Sequence, residues 1–198
     1  VVVGVDEEPD VYILNSCTIT HIADRKCRNF LRRARRLNPQ AFVVATGCYA
    51  SRNPEELGAI DSVDLVLNGR GRTGLLEALQ SPEPPEPGKA SLLHLPRTRA
   101  FVKIQEGCAT PCTYCIVPRV RGSEISLSTE IILRDIQDRI ASGCLEVVLT
   151  GTKVGTYAYD GVLLEGLLER ILAMKGMRRL RLSSLQPWEV NDELLSMW

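Results

Sequence analysis

Charge of one sign is missing from this chain: 24 Lys and Arg balance 24 Asp and Glu over 198 residues, for a formal net charge of zero. That balance excludes a global attraction to nucleic acid or to an anionic membrane and leaves any such grip to local patches. No apolar run approaches the roughly 20 residues of a membrane-spanning helix, so no contact with a membrane is expected. Nothing at the start reads as a secretion signal. Histidine is scarce, with only His21 and His94, both in connecting segments. Neither stands with a paired carboxylate or a nucleophile in the pattern of a hydrolase. No internal repeat of the solenoid kind is visible.

An even set of cysteines is also missing. There are seven, Cys17, Cys27, Cys48, Cys108, Cys112, Cys115 and Cys144, unevenly spread. A disulfide framework in a small secreted domain would be even, and thiolates meant for metal need a reducing compartment. The expected location is therefore the cytoplasm. The hydrophobic fraction of 44% supports a real core, and the length suits one large domain or two small ones. The chain opens on Val1-Val2-Val3, as if inside a strand, and stops at Met197-Trp198 inside an amphipathic pattern. It reads as a fragment of a longer protein.

What is there begins with strand–helix alternation. Val11 to Asn15 and Ala41 to Ala45 are buried strands by composition, and Val63 to Leu67 is a third. Between the first two, Ala23, Cys27, Phe30, Leu31, Ala34 and Leu37 recur at helical spacing, with Thr20 as N-cap and Asn38-Pro39 as the stop. A short helix is expected from Thr73 to Leu79. The proline-rich run Ser81-Pro82-Glu83-Pro84-Pro85-Glu86-Pro87-Gly88 makes an extended linker. The division expected is a first domain over 1–80, a linker over 81–97 and a second domain over 98–198. In the second domain strands are expected at 100–105, 145–150 and 178–183, with helices near 127–142, 161–174 and 189–198. The fold class is α/β: a Rossmann-like parallel-sheet domain, then the first part of a (β/α) barrel whose sites gather at the carboxyl ends of the strands.

The run Gly107-Cys108-Ala109-Thr110-Pro111-Cys112-Thr113-Tyr114-Cys115 puts three thiols on one loop with C-x3-C-x2-C spacing. Three thiolates so placed can hold three corners of an iron–sulfur cube, and with no fourth cysteine nearby one iron stays open to another ligand. A structural zinc site is the alternative, although zinc knuckles usually come as two pairs. The spacing, with an aromatic residue before its last cysteine, resembles the signature of radical S-adenosylmethionine enzymes. In that family S-adenosylmethionine chelates the open iron, and one electron from the cluster releases a 5′-deoxyadenosyl radical.

Cys17 follows the first strand and Cys48 the second, both at the edge where parallel sheets bind ligands. Position alone leaves open whether they are ligands or small buried hydrophobes. The words Asn15-Ser16-Cys17-Thr18-Ile19-Thr20 and Gly47-Cys48-Tyr49-Ala50 resemble the N-terminal domain of the radical methylthiotransferases. The resemblance implies that Cys17 and Cys48 supply two of three ligands to an auxiliary cluster. The third belongs to an earlier strand that this chain lacks. Two 4Fe-4S clusters and S-adenosylmethionine are thus the implied cofactors. Cys27 and Cys144 match no ligand position and are read as packing residues.

For holding S-adenosylmethionine, Thr150-Gly151 resembles the family's glycine segment, where a missing Cβ admits the methionyl amine. A simple strand-to-loop turn is the alternative. Tyr114 is expected against the adenine, and Ser183 with Ser184 at the next strand end is expected near the ribose hydroxyls. The words Phe101 to Gly107, Leu149 to Gly151 and Arg181 to Pro187 look like the branch acting on N6-threonylcarbamoyladenosine in tRNA, at position 37 beside the anticodon. Two departures are Gln186, where that branch usually has Glu, and Lys153, where Asn is more usual. The resemblance implies C2-methylthiolation of that adenine, with tRNA and an electron donor of flavodoxin or ferredoxin type as partners. Phosphate grips are sought in Arg32, Arg33, Arg35 and Arg36, in Arg119 and Arg121, and in Arg178, Arg179 and Arg181. The alternatives are a methylthiotransferase for isopentenyladenosine or for a ribosomal-protein aspartate, a non-catalytic iron–sulfur or zinc protein, and an inactive truncated product. Open sheet edges would make an incomplete barrel poorly stable by itself.

Overall fold

The computed structural model describes residues 4–68 and 98–197. The expected helix from Thr73 to Leu79, the linker and His94 lie outside the described residues. The chain divides into two compact units, Val1–Pro84 with Tyr114–Arg121, and Pro85–Thr113 with Gly122–Trp198.

In the first unit, strands Val11–Ser16 (β1) and Phe42–Gly47 (β2) run parallel in register from Val11↔Phe42 to Ser16↔Gly47. Helix His21–Leu37 (α1) crosses between them and buries Cys27, Leu31 and Ala34. Leu31 is fully enclosed, a burial that stabilises by about 1.5–3 kcal/mol. The helix starts where Thr20 Oγ1 accepts from Ala23 N at 3.1 Å. It stops at Asn38, because the residue before Pro39 is pushed into extended backbone. Two short helices follow at once, Cys48–Arg52 (α2) and Pro54–Gly58 (α3). The third strand shrinks to Leu65–Val66 (β3), parallel to β2. Asp64 turns its carboxylate to Val43 N (2.7 Å) and to Arg35 Nη2 (2.6 Å), which ties the strand's entry to β2 and α1. The segment Tyr114–Arg121 contributes a single turn and a half, Val117–Arg121 (α4).

The second unit is built on Arg99–Lys103 (β4), Glu146–Thr150 (β7) and Arg179–Leu182 (β10), all parallel with β7 in the centre. Gln105–Glu106 (β5) pairs antiparallel with Ile125–Ser126 (β6) and closes the base of the cysteine loop. Helix Thr129–Ala141 (α5) begins at Ser128, whose hydroxyl accepts from Ile131 N at 3.3 Å. A small hairpin, Ala158–Tyr159 (β8) with Val162–Leu163 (β9), leads into helix Leu164–Leu172 (α6). The two helices bury Ile132, Ile136, Leu167 and Ile171 against Val102, Val147 and Leu149 of the sheet. Tyr157 lies inside this core, with its hydroxyl 3.0 Å from Leu127 O and 3.1 Å from Thr129 Oγ1.

The opposite sheet face is charged. Glu146 sits in register between Arg99 and Arg179, and the guanidinium Nε atoms of Arg99 and Arg181 approach its Oε1 to 2.6 and 2.8 Å. These are charge contacts without hydrogen-bond alignment, since that oxygen has no hydrogen-bond donor among the described residues. The helix expected over 189–198 differs. A 3-10 turn at Pro187–Glu189 is separated from helix Asp192–Ser196 (α7) by Asn191, whose side chain caps Leu194 N at 2.8 Å. No helix among the described residues is long and apolar enough to cross a membrane.

Candidate functional site

Parallel order puts the carboxyl ends of β4, β7 and β10 along one edge, where α/β sheets take ligands. Each end runs into a segment singled out in the sequence. β4 leads through β5 to Cys108, β7 ends at Thr150-Gly151, and β10 is followed by Ser183.

The cysteine loop starts under tight control. Gly107 has φ +83°, and a Cβ there would collide with the carbonyl of Ser123 and lie 2.8 Å from Gly122 O. Cys108 N donates to Gly122 O at 2.9 Å, and Ala109 N donates to Glu124 Oε1 at 3.0 Å. The Ala109 N–H is the main group holding the Glu124 carboxyl below the usual range. Its own N–H, the Lys153 charge and the Cys108 thiol act in the same direction. Cys108 is partly buried and Cys112 is exposed, while Cys115 falls in the segment grouped with the first unit. None of the seven cysteines is joined in a disulfide. Among the described residues no group of three or more His, Cys, Asp or Glu stands arranged to hold a metal ion. The donor set is nonetheless chemically right for iron–sulfur ligation: three free thiols on one loop, none buried. Ligands of this kind are drawn into place by the metal that they bind.

At the end of β7, Thr150 Oγ1 donates to Val102 O at 3.3 Å. A Cβ on Gly151 would come within 2.9 Å of Gln105 Oε1 and 3.0 Å of Gln105 O. The space that its missing side chain leaves is thus taken by Gln105. Lys153 Nζ reaches Thr110 Oγ1 of the cysteine loop at 3.3 Å and Glu189 Oε1 at 3.6 Å. Gln186, the other departure, forms a capping box with Glu189. Ser183 N donates to Leu149 O at 3.1 Å, so Ser183 continues the ladder at the strand end. Tyr114 is 90% exposed.

In the first unit Cys17 and Cys48 each directly follow the last paired residues of neighbouring strands, Ser16 and Gly47. Cys17 is exposed and Cys48 partly so. Ser16 fixes this edge: its hydroxyl donates to Thr46 O and accepts from Tyr49 N at 3.2 Å. Beside Cys17, Thr18 Oγ1 is buried with no hydrogen-bond partner among the described residues. Arg121 Nε lies 3.5 Å from Cys48 Sγ, a thiol contact that the sequence did not suggest. Cys27 is buried in α1, and burial, reinforced by Asp24, raises its pKa to about 11. Cys144 is partly buried and follows the C-cap of α5.

The basic groups separate by partner. Arg33 pairs with Asp6, and Arg35 holds Asp64 and the carbonyls of Pro39 and Ala41. Arg179 and Arg181 face Glu146. Arg32, Arg36 and Arg119 are exposed. The sequence reading missed Gln105, Ser16 and Glu124. Single polar residues beside a motif, whether buried like Gln105 and Ser16 or partly buried like Glu124, leave no periodic signal.

In fold the chain is similar to the radical S-adenosylmethionine methyltransferase TsrM of Kitasatospora setae, solved with cobalamin and a 4Fe-4S cluster bound. The TM-score is 0.65 at 14% identity, over 96% of this chain and 47% of that one. Residues 1–68 match the uncharacterized protein family UPF0004. Over nearly its whole length the chain also matches threonylcarbamoyladenosine tRNA methylthiotransferases MtaB. Identity is 36% to the protein of Aquifex aeolicus, over 99% of this chain and 52% of the relative. It is 35% to the protein of Bacillus subtilis, over 97% and 47%. The chain thus carries a UPF0004 domain and is a homologue of the MtaB-type methylthiotransferases. It spans about half the length of the curated relatives that it matches.

Proposed function

We propose that the chain is part of a tRNA methylthiotransferase acting at C2 of N6-threonylcarbamoyladenosine beside the anticodon. The observation that carries this reading is the C-x3-C-x2-C loop leaving a carboxyl strand end, in a chain 36% identical to an MtaB. Cys108, Cys112 and Cys115 would hold one 4Fe-4S cluster, and Cys17 and Cys48 would contribute to a second. When bound, a cluster with S-adenosylmethionine would supply the one-electron chemistry. The protein's part is placement. Gly107 and Glu124 set the start of the thiol loop, and Thr150, Gly151 and Ser183 offer the neighbouring strand ends to the cofactor, with Tyr114 toward its adenine. Exposed Arg32, Arg36 and Arg119 suit tRNA phosphates. The working location is the cytoplasm, with an electron donor of flavodoxin or ferredoxin type.

The test is anaerobic reconstitution, reduction, and electron paramagnetic resonance before and after S-adenosylmethionine. A signal that changes with the cofactor and is lost in Cys108→Ala supports the reading. A signal indifferent to the cofactor makes the protein an electron carrier, and zinc in place of iron makes the loop structural. Analysis of tRNA nucleosides from a deletion strain identifies the target. Loss of the methylthio group from isopentenyladenosine instead, or from neither nucleoside, overturns the assignment.

A further inference from the structure

We propose that Gln105 is a positioning residue, a buried amide clamp that makes the cysteine loop and the loop after β7 move as one body. Gln105 is 1% exposed. Its Nε2 donates to Gly107 O at 2.8 Å and to Glu106 O at 3.2 Å. Its Oε1 accepts from Thr152 N and from Lys153 N, both at 2.9 Å. A side-chain amide has two N–H donors and one oxygen with two lone pairs, so every hydrogen-bonding position is used. One end grips the approach to Cys108 and the other grips the loop beyond Gly151.

No other side chain of this length does both. A carboxylate accepts but cannot donate, and a thioether does neither to any useful degree. Gly151 completes the fit. It is not among the residues with positive φ, so its backbone does not demand glycine. What demands it is Gln105, whose Oε1, O and Cβ would lie 2.9, 3.0 and 3.2 Å from an added Cβ. Two loops are therefore locked through one side chain and one missing side chain. Lys153 Nζ on Thr110 Oγ1 adds a second strut between the same loops. On the cofactor reading under Proposed function, this sets the distance between the thiols and the glycine loop. The clamp itself does not depend on that reading.

The experiment is amide hydrogen exchange on the whole metal-free chain. Gln105→Met should speed exchange at Thr152 and Lys153, and in the 107–110 segment, by about tenfold each, the worth of one to two hydrogen bonds. Gln105→Glu should split the effect, leaving Thr152 and Lys153 protected and loosening only 107–110. A merely structural role would not give that split. Gly151→Ala should loosen 107–110 from across the gap, and should do so less when Gln105 is already Ala. Amides of the Ile132–Ile136 core report whether each variant is folded. If Gln105→Met unfolds, the Glu split and the Gly151→Ala transmission decide. Unchanged 107–110 exchange in folded Gly151→Ala, or no split in Gln105→Glu, overturns the clamp. In reconstituted protein, Gln105→Met should keep wild-type iron and need about tenfold more S-adenosylmethionine for half of the spectral change. Wild-type protein that takes up iron but ignores the cofactor sinks the cofactor reading and leaves the exchange result standing.

Discussion

Gly107→Ala should damage the second unit far more than an ordinary left-handed glycine does, and Gly143→Ala measures the ordinary case. Both glycines have φ near +90°, at +83° and +91°. An added Cβ at Gly143 meets nothing within 4 Å, so alanine there bears only the left-handed backbone cost, about 1–2 kcal/mol. At Gly107 the same cost applies, but the Cβ also collides with Ser123 O and stands 2.8 Å from Gly122 O. Both are backbone atoms, so no side chain can rotate aside. Relief requires opening the loop base, where Cys108 N bonds Gly122 O at 2.9 Å and β5 pairs with β6. Two to three lost hydrogen bonds at about 1 kcal/mol each bring the total to about 3–5 kcal/mol. Thermal unfolding followed by far-ultraviolet circular dichroism compares the two variants. A melting drop of about 4–8 °C per kcal/mol for a domain of this size makes the difference easy to read. If Gly107→Ala is within about 0.5 kcal/mol of Gly143→Ala, the steric account of the loop is wrong.

Three further outcomes are expected. Asp24 is 2% exposed and pairs with Arg52 at 2.9 Å, so Arg52→Met leaves a buried carboxylate alone and should cost about 3 kcal/mol, most of it recovered on adding Asp24→Asn. With a folded pKa of about 11 against an ordinary 9, Cys27 should stay unmodified by iodoacetamide at pH 8 while exposed Cys17 and Cys112 react. The same raised pKa means that the protonated thiol favours the folded state. Its contribution is complete below pH 9 and lost as pH rises through about 11, and Cys27→Ser should lack this alkaline component. Finally, replacing exposed Arg32 and Arg36 by Gln should weaken tRNA binding and lower the salt slope by about two in filter binding. An unchanged slope removes that helix end from the RNA surface.

The alternation of apolar strands with helical spacing was legible along the chain, because it reflects a local period that the backbone imposes. Thr20 and Asn38-Pro39 marked the ends of α1 for the same local reason, and the structure puts the helix at His21–Leu37. The thiol loop was legible as well, since metal chemistry leaves a spacing. The strand expected at Val63 to Leu67 and the helix expected over 189–198 are both shorter in the structure, at Leu65–Val66 and Asp192–Ser196. Asp64 is drawn to Val43 and Arg35, and Asn191 caps a new helix. Both are contacts or caps that override a run of apolar residues.

Residue type and interval were enough for the kind of chemistry and for the order of elements. How the singled-out residues are used was settled by packing alone. Arg35 holds Asp64 and two carbonyls, and Arg179 and Arg181 face Glu146. Gly151 is glycine because Gln105, far back along the chain on the approach to the thiol loop, fills its side-chain space. A hydrogen bond between two loops depends on distances that parallel strands create. No interval along the chain records them.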